Sequence, residues 1–139
     1  MTTITVSTTI SADIEKVWQA WILPEHITAW NAASDGWHCP KASNNLKDGG
    51  KFCYSMAAKD GSFSFDFEGT YLEVIGQVKI AYEIIDGRRV EITFMESSEG
   101  IKVTEIFEAE ATHTVEQQQD GWQAILENFK KHVESGRPA

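Results

Sequence analysis

The sequence contains only two cysteines, Cys39 and Cys53, and they are not a C-x-x-C pair. Disulfide-dependent secreted domains are much richer in cysteine, so we interpret both as reduced thiols in a cytoplasmic protein, with a single disulfide as the alternative. The first ten residues lack a basic segment followed by an apolar core, so we expect no signal peptide. No apolar run reaches the length of a membrane span, so we expect no membrane insertion.

Positive charge is also scarce. The chain carries 12 Lys and Arg against 21 Asp and Glu, a formal net charge of −9 at pH 7. Nucleic acids and anionic membrane surfaces both bind clusters of basic residues. We therefore expect neither of them as a partner, and the negative charge itself favours solubility.

Motifs of catalysis and metal binding are missing as well. The sequence has no G-x-S-x-G, no glycine-rich phosphate loop before a helix and no H-E-x-x-H. Its four histidines do not follow metal-ligand spacing, and we expect His113 and His132 at the surface. The sequence thus predicts no metal site and no cofactor.

What the chain does have is a regular order of short elements, and its length fits one domain over residues 1–139. Alternating apolar residues predict a first strand with Ile4, Val6 and Ile10 on one face. Ser11 is the predicted N-cap of a helix. The apolar stripe of that helix consists of Ile14, Val17, Trp18, Trp21 and Ile22. Pro24 is predicted to open a second short helix that runs through Trp30.

A series of strands follows. A short strand is predicted at 37–42, with a turn at 48–50. Turn signals then appear at Asp60-Gly61, Gly76, Asp86-Gly87 and Glu99-Gly100, a spacing typical of successive hairpins. The segments between these turns are 51–58, 62–74, 77–85, 88–96 and 101–111. Their predicted apolar rows are Phe52, Tyr54 and Met56; Phe63, Phe65 and Phe67; Val78, Ile80, Tyr82 and Ile84; and Val90, Ile92 and Phe94.

The last segment is predicted to form a helix that covers that apolar face. Thr114 and Gln117 have the spacing of a capping box, which indicates the start of a long helix. Its apolar face consists of Val115, Gln118, Gly121, Trp122, Ile125, Leu126, Phe129 and Val133. A glycine inside a helix costs about 1 kcal/mol relative to alanine, so Gly121 indicates a close approach, either by protein or by a ligand.

The sequence therefore predicts an α+β fold: a strand, two short helices, about six antiparallel strands and a long C-terminal helix. In this order, VWQAWILPEHITAWN, LKDGGKFCYSM, DGSFSFDFEGTY and GWQAILENFKKHVE resemble the START-like, or SRPBCC, superfamily. Within it they resemble the homologues of the activator of heat-shock protein 90 ATPase, over almost the whole chain. The resemblance implies a helix-grip fold, in which about seven antiparallel strands curve around the C-terminal helix and leave a cavity.

The resemblance also implies binding of a hydrophobic or amphipathic small molecule in that cavity. On the predicted inner faces, the candidate ligand-binding residues are Trp30, His38, Tyr54, Met56, Phe65, Phe67, Tyr82, Ile92, Phe94, Glu105, Trp122, Ile125, Leu126 and Phe129. Four of them, His38, Tyr54, Tyr82 and Glu105, would orient the ligand through polar groups. Trp122 would form a wall of the cavity, and Gly121 would give clearance.

For Glu105, the sequence leaves two orientations open, one buried and one exposed to solvent. Val103, Phe107 and Ala109 share its parity, so it lies on the apolar side of the sheet if they point inward. If Thr104 and Ile106 point inward instead, Glu105 is solvated. A buried carboxyl group must be paired, hydrogen-bonded or protonated.

Two other functions remain open. In one, a cyclase- or hydrolase-like enzyme uses Glu105 or His38 as general acid or base. In the other, the chain is a co-chaperone-like interaction module, as the family resemblance suggests. A monomer and a homodimer are equally compatible with the sequence.

Overall fold

The computed structural model describes residues 2–136. Within them the elements follow the order strand, two helices, six strands and a helix. They are β1 (Thr3–Ile10), α1 (Ile14–Ile22), α2 (Pro24–Trp30), β2 (Trp37–Asn44), β3 (Lys51–Ala58), β4 (Ser64–Ile75), β5 (Lys79–Ile84), β6 (Arg89–Ser97), β7 (Gly100–Glu108) and α3 (Val115–Glu134). None of the helices in this range combines the length and the apolar character needed to cross a membrane.

All seven strands form one antiparallel sheet in the order β1-β7-β6-β5-β4-β3-β2. The sheet curls into a half-barrel, and α3 lies across its concave face. The Trp122 ring of α3 stacks on Phe107 of β7, with ring centroids 3.9 Å apart, and meets Phe67 of β4 edge-on at 6.2 Å. The predicted α+β helix-grip fold, with two short helices after the first strand, is confirmed.

The start of α1 differs from the prediction. Its N-cap is Asp13, whose carboxylate accepts a hydrogen bond of 2.9 Å from the Lys16 amide. Ser11 was the wrong choice because the helix begins at Ile14, so Ser11 lies too early to reach the first free amides. Instead the Ser11 amide donates to the Glu134 carboxylate at 2.9 Å, which connects the end of β1 to the end of α3.

The start of α3 agrees with the prediction. Thr114 and Gln117 form both hydrogen bonds of the capping box. The next residue, Gln118, is a buried polar side chain. Its amide nitrogen donates to backbone carbonyls of the preceding turn, and its oxygen accepts from the Glu110 amide at 2.9 Å. A polar residue is therefore tolerated on the apolar stripe because its hydrogen bonds are satisfied.

Besides Phe65, three apolar residues assigned to inner faces are exposed in the structure. Phe63 comes just before β4, Val78 just before β5, and Val115 is the first residue of α3. The prediction of burial was wrong for these three. The apolar pattern of Phe63 and Val78 continues beyond the ends of their strands, and Val115 lies in the exposed first turn of α3.

His132 is also placed differently from the prediction. It was expected at the surface, but it is partly buried, and its Nε2 atom lies 2.8 Å from Nδ1 of His26 in α2. At that distance one ring donates a hydrogen bond and the other accepts it. The contact connects α2 to the last turns of α3.

Gly121 lies in the middle of α3, but no heavy atom would come within 4 Å of a Cβ atom added there. Close packing of protein against this position was therefore the wrong explanation. We expect Gly121→Ala to raise the free energy of unfolding by about 0.5–1 kcal/mol, because alanine has the higher helix propensity and meets no obstacle. Urea denaturation monitored by circular dichroism would measure the change.

The exposed Gln119 in the same helix offers the control. Gln119→Ala should change stability by no more than a few tenths of a kcal/mol, since both residues are good helix formers. A loss of stability in Gly121→Ala would mean that something does pack against this glycine in solution.

Candidate functional site

A cavity of about 200 Å³ lies between the concave face of the sheet, the α1–α2 pair and α3. Most of its wall is aromatic or aliphatic. The lining residues are Trp21, Ile22, Trp30, Asn31, Leu46, Phe52, Tyr54, Met56, Phe65, Phe67, Tyr71, Ile80, Tyr82, Glu105, Trp122 and Ile125. No Lys, Arg or His is among these described residues. Apolar walls with a few polar groups are typical of sites for small molecules.

The structure brings nine of the predicted ligand-binding residues to this wall. They are Trp30, Tyr54, Met56, Phe65, Phe67, Tyr82, Glu105, Trp122 and Ile125. They come from α2, from four strands and from α3, and the curl of the sheet gathers them. Their contact with a ligand stays a prediction.

Five predicted residues do not reach the cavity. Ile92, Phe94, Leu126 and Phe129 are buried in the solid core beside it. Phe129, for example, packs against Trp21 and Trp30, with ring centroids 4.8 and 4.9 Å apart. The alternation assigned their faces correctly but could not separate cavity wall from core.

The fifth residue, His38, lies on the wrong side of the fold for the predicted role. Its side chain is exposed at the start of β2, beside a separate polar hollow of about 410 Å³ that also involves Lys59 and Lys131. The register of β2 against β3 shifts between His38 and Lys41, so the simple alternation does not hold there. His38 therefore cannot orient a ligand in the aromatic cavity.

Seven lining residues were not predicted, and some had a detectable signal. Phe52 and Ile80 belong to apolar rows that the alternation identifies, and Tyr71 continues the row of Phe65 and Phe67. The remaining four have no periodic signal that separates wall from core, since two lie in α1 and two in irregular segments. They are Trp21, Ile22, Asn31 and Leu46.

Phe65 marks the mouth of the cavity. Its side chain lines the cavity and is nevertheless 46 % exposed. On the outer side it contacts Trp37, with ring centroids 6.0 Å apart, and Trp37 in turn contacts the exposed Phe63. The exposed Phe63 and Phe65 and the half-buried Trp37 therefore lie beside the place where the cavity meets solvent.

Glu105 lies on the cavity wall and is only 5 % exposed, so the alternative that placed it in solvent is wrong. Its partners across the sheet, Val6 on β1 and Ile92 on β6, are buried and apolar. Among residues 2–136, no group donates a hydrogen bond to its carboxyl group or forms an ion pair with it. Burial raises the pKa of Glu105 to about 8, so the carboxyl group is mostly protonated at pH 7.

A second polar group lies on the β3–β4 side of the cavity. The hydroxyl groups of Tyr54 and Tyr71 form a hydrogen-bonded cluster with the Asn44 side chain, whose Nδ2 atom donates to the Ile22 carbonyl at 2.7 Å. Burial raises the pKa of both tyrosines, and that of Tyr54 lies well above its usual range. These phenols are therefore neutral and can serve only as hydrogen-bonding groups.

One group of potential metal ligands occurs among the described residues, on the opposite face of the sheet. The ligand atoms of Cys53, Asp66 and Glu68 lie within 4.8 Å of one another on β3 and β4. Burial and the two neighbouring carboxylates raise the pKa of the Cys53 thiol, which disfavours the thiolate that a metal requires. Exposed acidic groups of this kind are common without a metal ion.

Comparison with known proteins agrees with this geometry. The family model described as "Activator of Hsp90 ATPase homolog 1-like protein" matches residues 11–134. The chain belongs to this family. The match includes α1, α2, the six strands from β2 to β7, and α3, and therefore all helices and strands that line the cavity.

Solved structures of similar proteins support membership in the Activator of Hsp90 ATPase homolog 1-like family. The solution structure of the AHSA1-like protein from Aeromonas hydrophila is 45% identical, covers 97% of this chain and 94% of its own, and has a TM-score of 0.91. A protein from Cytophaga hutchinsonii is 50% identical over 96% of this chain and 92% of its own, with a TM-score of 0.83. The comparison with curated proteins gave no significant match.

Proposed function

We propose that this protein binds a hydrophobic or amphipathic small molecule in the cavity between the sheet and α3. The observation that carries the proposal is a cavity of about 200 Å³ with a largely aromatic wall and a mouth beside Phe65. An apolar cavity of about 150 Å³ in another protein is large enough for benzene. The expected ligand therefore contains one aromatic ring or a short aliphatic chain, unless it extends through the mouth.

The test is a binding titration of the ¹⁵N-labelled protein with propylbenzene and 2-phenylethanol, followed by NMR. We expect shifts centred on the amides of β3, β4, β5 and α3, because these elements supply most of the cavity wall. In a variant with Ile125→Phe, the larger side chain occupies part of the cavity, and the affinity should fall by about tenfold or more.

The matched control is Ile106→Phe, because Ile106 is exposed on the opposite face of the sheet. It adds the same atoms outside the cavity and should leave the affinity unchanged. Equal weakening by both variants, or shifts confined to the exposed residues around Phe63, would refute binding in the cavity.

A second candidate function is an enzyme in which Glu105 acts as general acid. The specific observation in its favour is a carboxyl group with a pKa of about 8 on the wall of a largely apolar cavity. His38 is not available as the acid or base, since it lies outside the cavity. Incubation with candidate substrates should then give turnover that Glu105→Gln abolishes, while ligand binding without turnover would leave the first proposal standing alone.

The family description refers to activation of the Hsp90 ATPase, and a co-chaperone-like role stays a further candidate. No feature of the described surface specifically favours it, and an ATPase assay with added Hsp90 would test it directly. We also propose a cytoplasmic location, in agreement with the free thiols of Cys39 and Cys53.

A further inference from the structure

We propose that the preferred ligand carries an ammonium group, which enters the cavity and pairs with the Glu105 carboxylate. This inference rests on the proposed function, because it names the chemical class of the molecule that the cavity binds. The cavity wall contains one feature that folding alone does not explain: the buried carboxyl group of Glu105 has no partner among the described residues.

Glu105 occupies a position where an apolar residue would stabilise the fold. It lies in a row across the sheet with Val6, Ile92 and Ile80, all of them buried. An unpaired carboxyl group in such apolar surroundings is costly whether it is ionised or protonated, because no donor or acceptor of the protein satisfies it. The side chain is nevertheless aimed at open space rather than at protein, so a ligand group can supply the missing partner.

The charge distribution favours a cation as that partner. No Lys, Arg or His among the described residues lines the cavity, so the protein offers no internal counter-ion for the carboxylate. Val6 and Ile92 beside Glu105 in the sheet, and Trp122 and Ile125 on α3, carry no charge. Tyr82 on β5 is the titratable group that interacts with Glu105, and its pKa is raised mainly by burial and further by the Glu105 charge.

The walls around the carboxyl group suit an ammonium as well. Phe52, Tyr82 and Phe67 form a contiguous aromatic cluster, with ring centroids from 4.8 to 6.2 Å apart, and Trp122 contacts Phe67. The faces of such rings attract cations. The formal net charge of −9 adds a long-range attraction for positively charged ligands.

Binding of an ammonium would displace a proton. In the free protein the Glu105 carboxyl group is mostly protonated at pH 7, because burial raises its pKa to about 8. A cation within hydrogen-bonding distance stabilises the carboxylate, so the proton leaves for solvent as the ammonium enters. A neutral ligand with a hydroxyl or carbonyl group would instead bind to the protonated acid and release no proton.

Three ligands with the same number of non-hydrogen atoms test the inference: 2-phenylethylamine, 2-phenylethanol and propylbenzene. At pH 8.5 we expect the amine to bind about ten- to a hundredfold more tightly than the alcohol, because hydrogen bonds to charged groups are the stronger ones. Calorimetry at pH 7 in phosphate and in Tris, which differ in ionisation enthalpy, should show release of about one proton per amine and none for the two neutral ligands.

Glu105→Gln is the decisive variant, since it keeps the shape of the side chain and removes its charge. It should abolish both the preference for the amine and the proton release. Binding of the alcohol or propylbenzene without preference for the amine would overturn the inference and leave the proposed function intact. Failure of all three ligands to bind would count against both.

Discussion

Replacing Glu105 with glutamine is expected to stabilise the protein by about 4 kcal/mol at pH 8 and by less than about 1 kcal/mol at pH 5. The reason is the raised pKa of about 8 in the folded state, against an ordinary value of 4.5 in the unfolded chain. Chemical denaturation of both proteins across this pH range would measure the difference. Glutamine has nearly the same shape, so packing changes contribute little.

The direction in which stability changes with pH follows from proton binding. Between pH 4.5 and pH 8 the folded protein holds a proton on Glu105 that the unfolded chain has lost, so this group makes stability fall as pH rises. The contribution is complete below the unfolded pKa and is lost as pH passes through the folded pKa. Glu96→Gln, at an exposed position of β6, removes the same formal charge and is the matched control. Parallel curves for the wild type and Glu105→Gln would show that the carboxyl group is hydrated or paired.

Phe129→Ala is expected to lower the free energy of unfolding by about 3–5 kcal/mol, as measured by urea denaturation. Phe129 is fully buried, and its ring meets Trp21 and Trp30 edge-on. These contacts hold α3 against the α1–α2 pair, so removal of the ring leaves a void that the two helices cannot fill without moving. The void borders the existing cavity, so the variant should also bind propylbenzene with altered affinity.

The same substitution at Phe63 provides the control. Phe63 is 59 % exposed and lies outside the strands, so Phe63→Ala should change the free energy of unfolding by no more than about 0.5 kcal/mol. Similar losses in the two variants would mean that Phe63 is covered in solution, for example by another molecule.

Much of the fold could be predicted because local signals agree with tertiary packing. The strand at 51–58 has the predicted limits, since Gly49 adopts a positive φ in the preceding turn and the Gly61 turn follows. The capping box at Thr114 likewise fixes the start of α3. Errors arose at the ends of elements, where Phe63 and Val78 continue the alternation although the sheet has no cover there.

The candidate site could be predicted less completely, and the reason is geometric. Alternation shows which face of a strand points inward, but not how far the helix lies from each point of that face. Ile80 and Ile92 are partners across β5 and β6 on the same face, yet only Ile80 lines the cavity. Leu46 lies outside the helices and strands altogether, so the alternation could not identify it.

The cavity wall is assembled from distant parts of the chain, from Trp21 in α1 through the central strands to Ile125 in α3. A bound molecule would therefore fill interior space that the polypeptide itself leaves empty. It would contact segments that separate from one another when the tertiary structure is lost. Amide hydrogen exchange in the strands beneath α3 would therefore slow as occupancy rises.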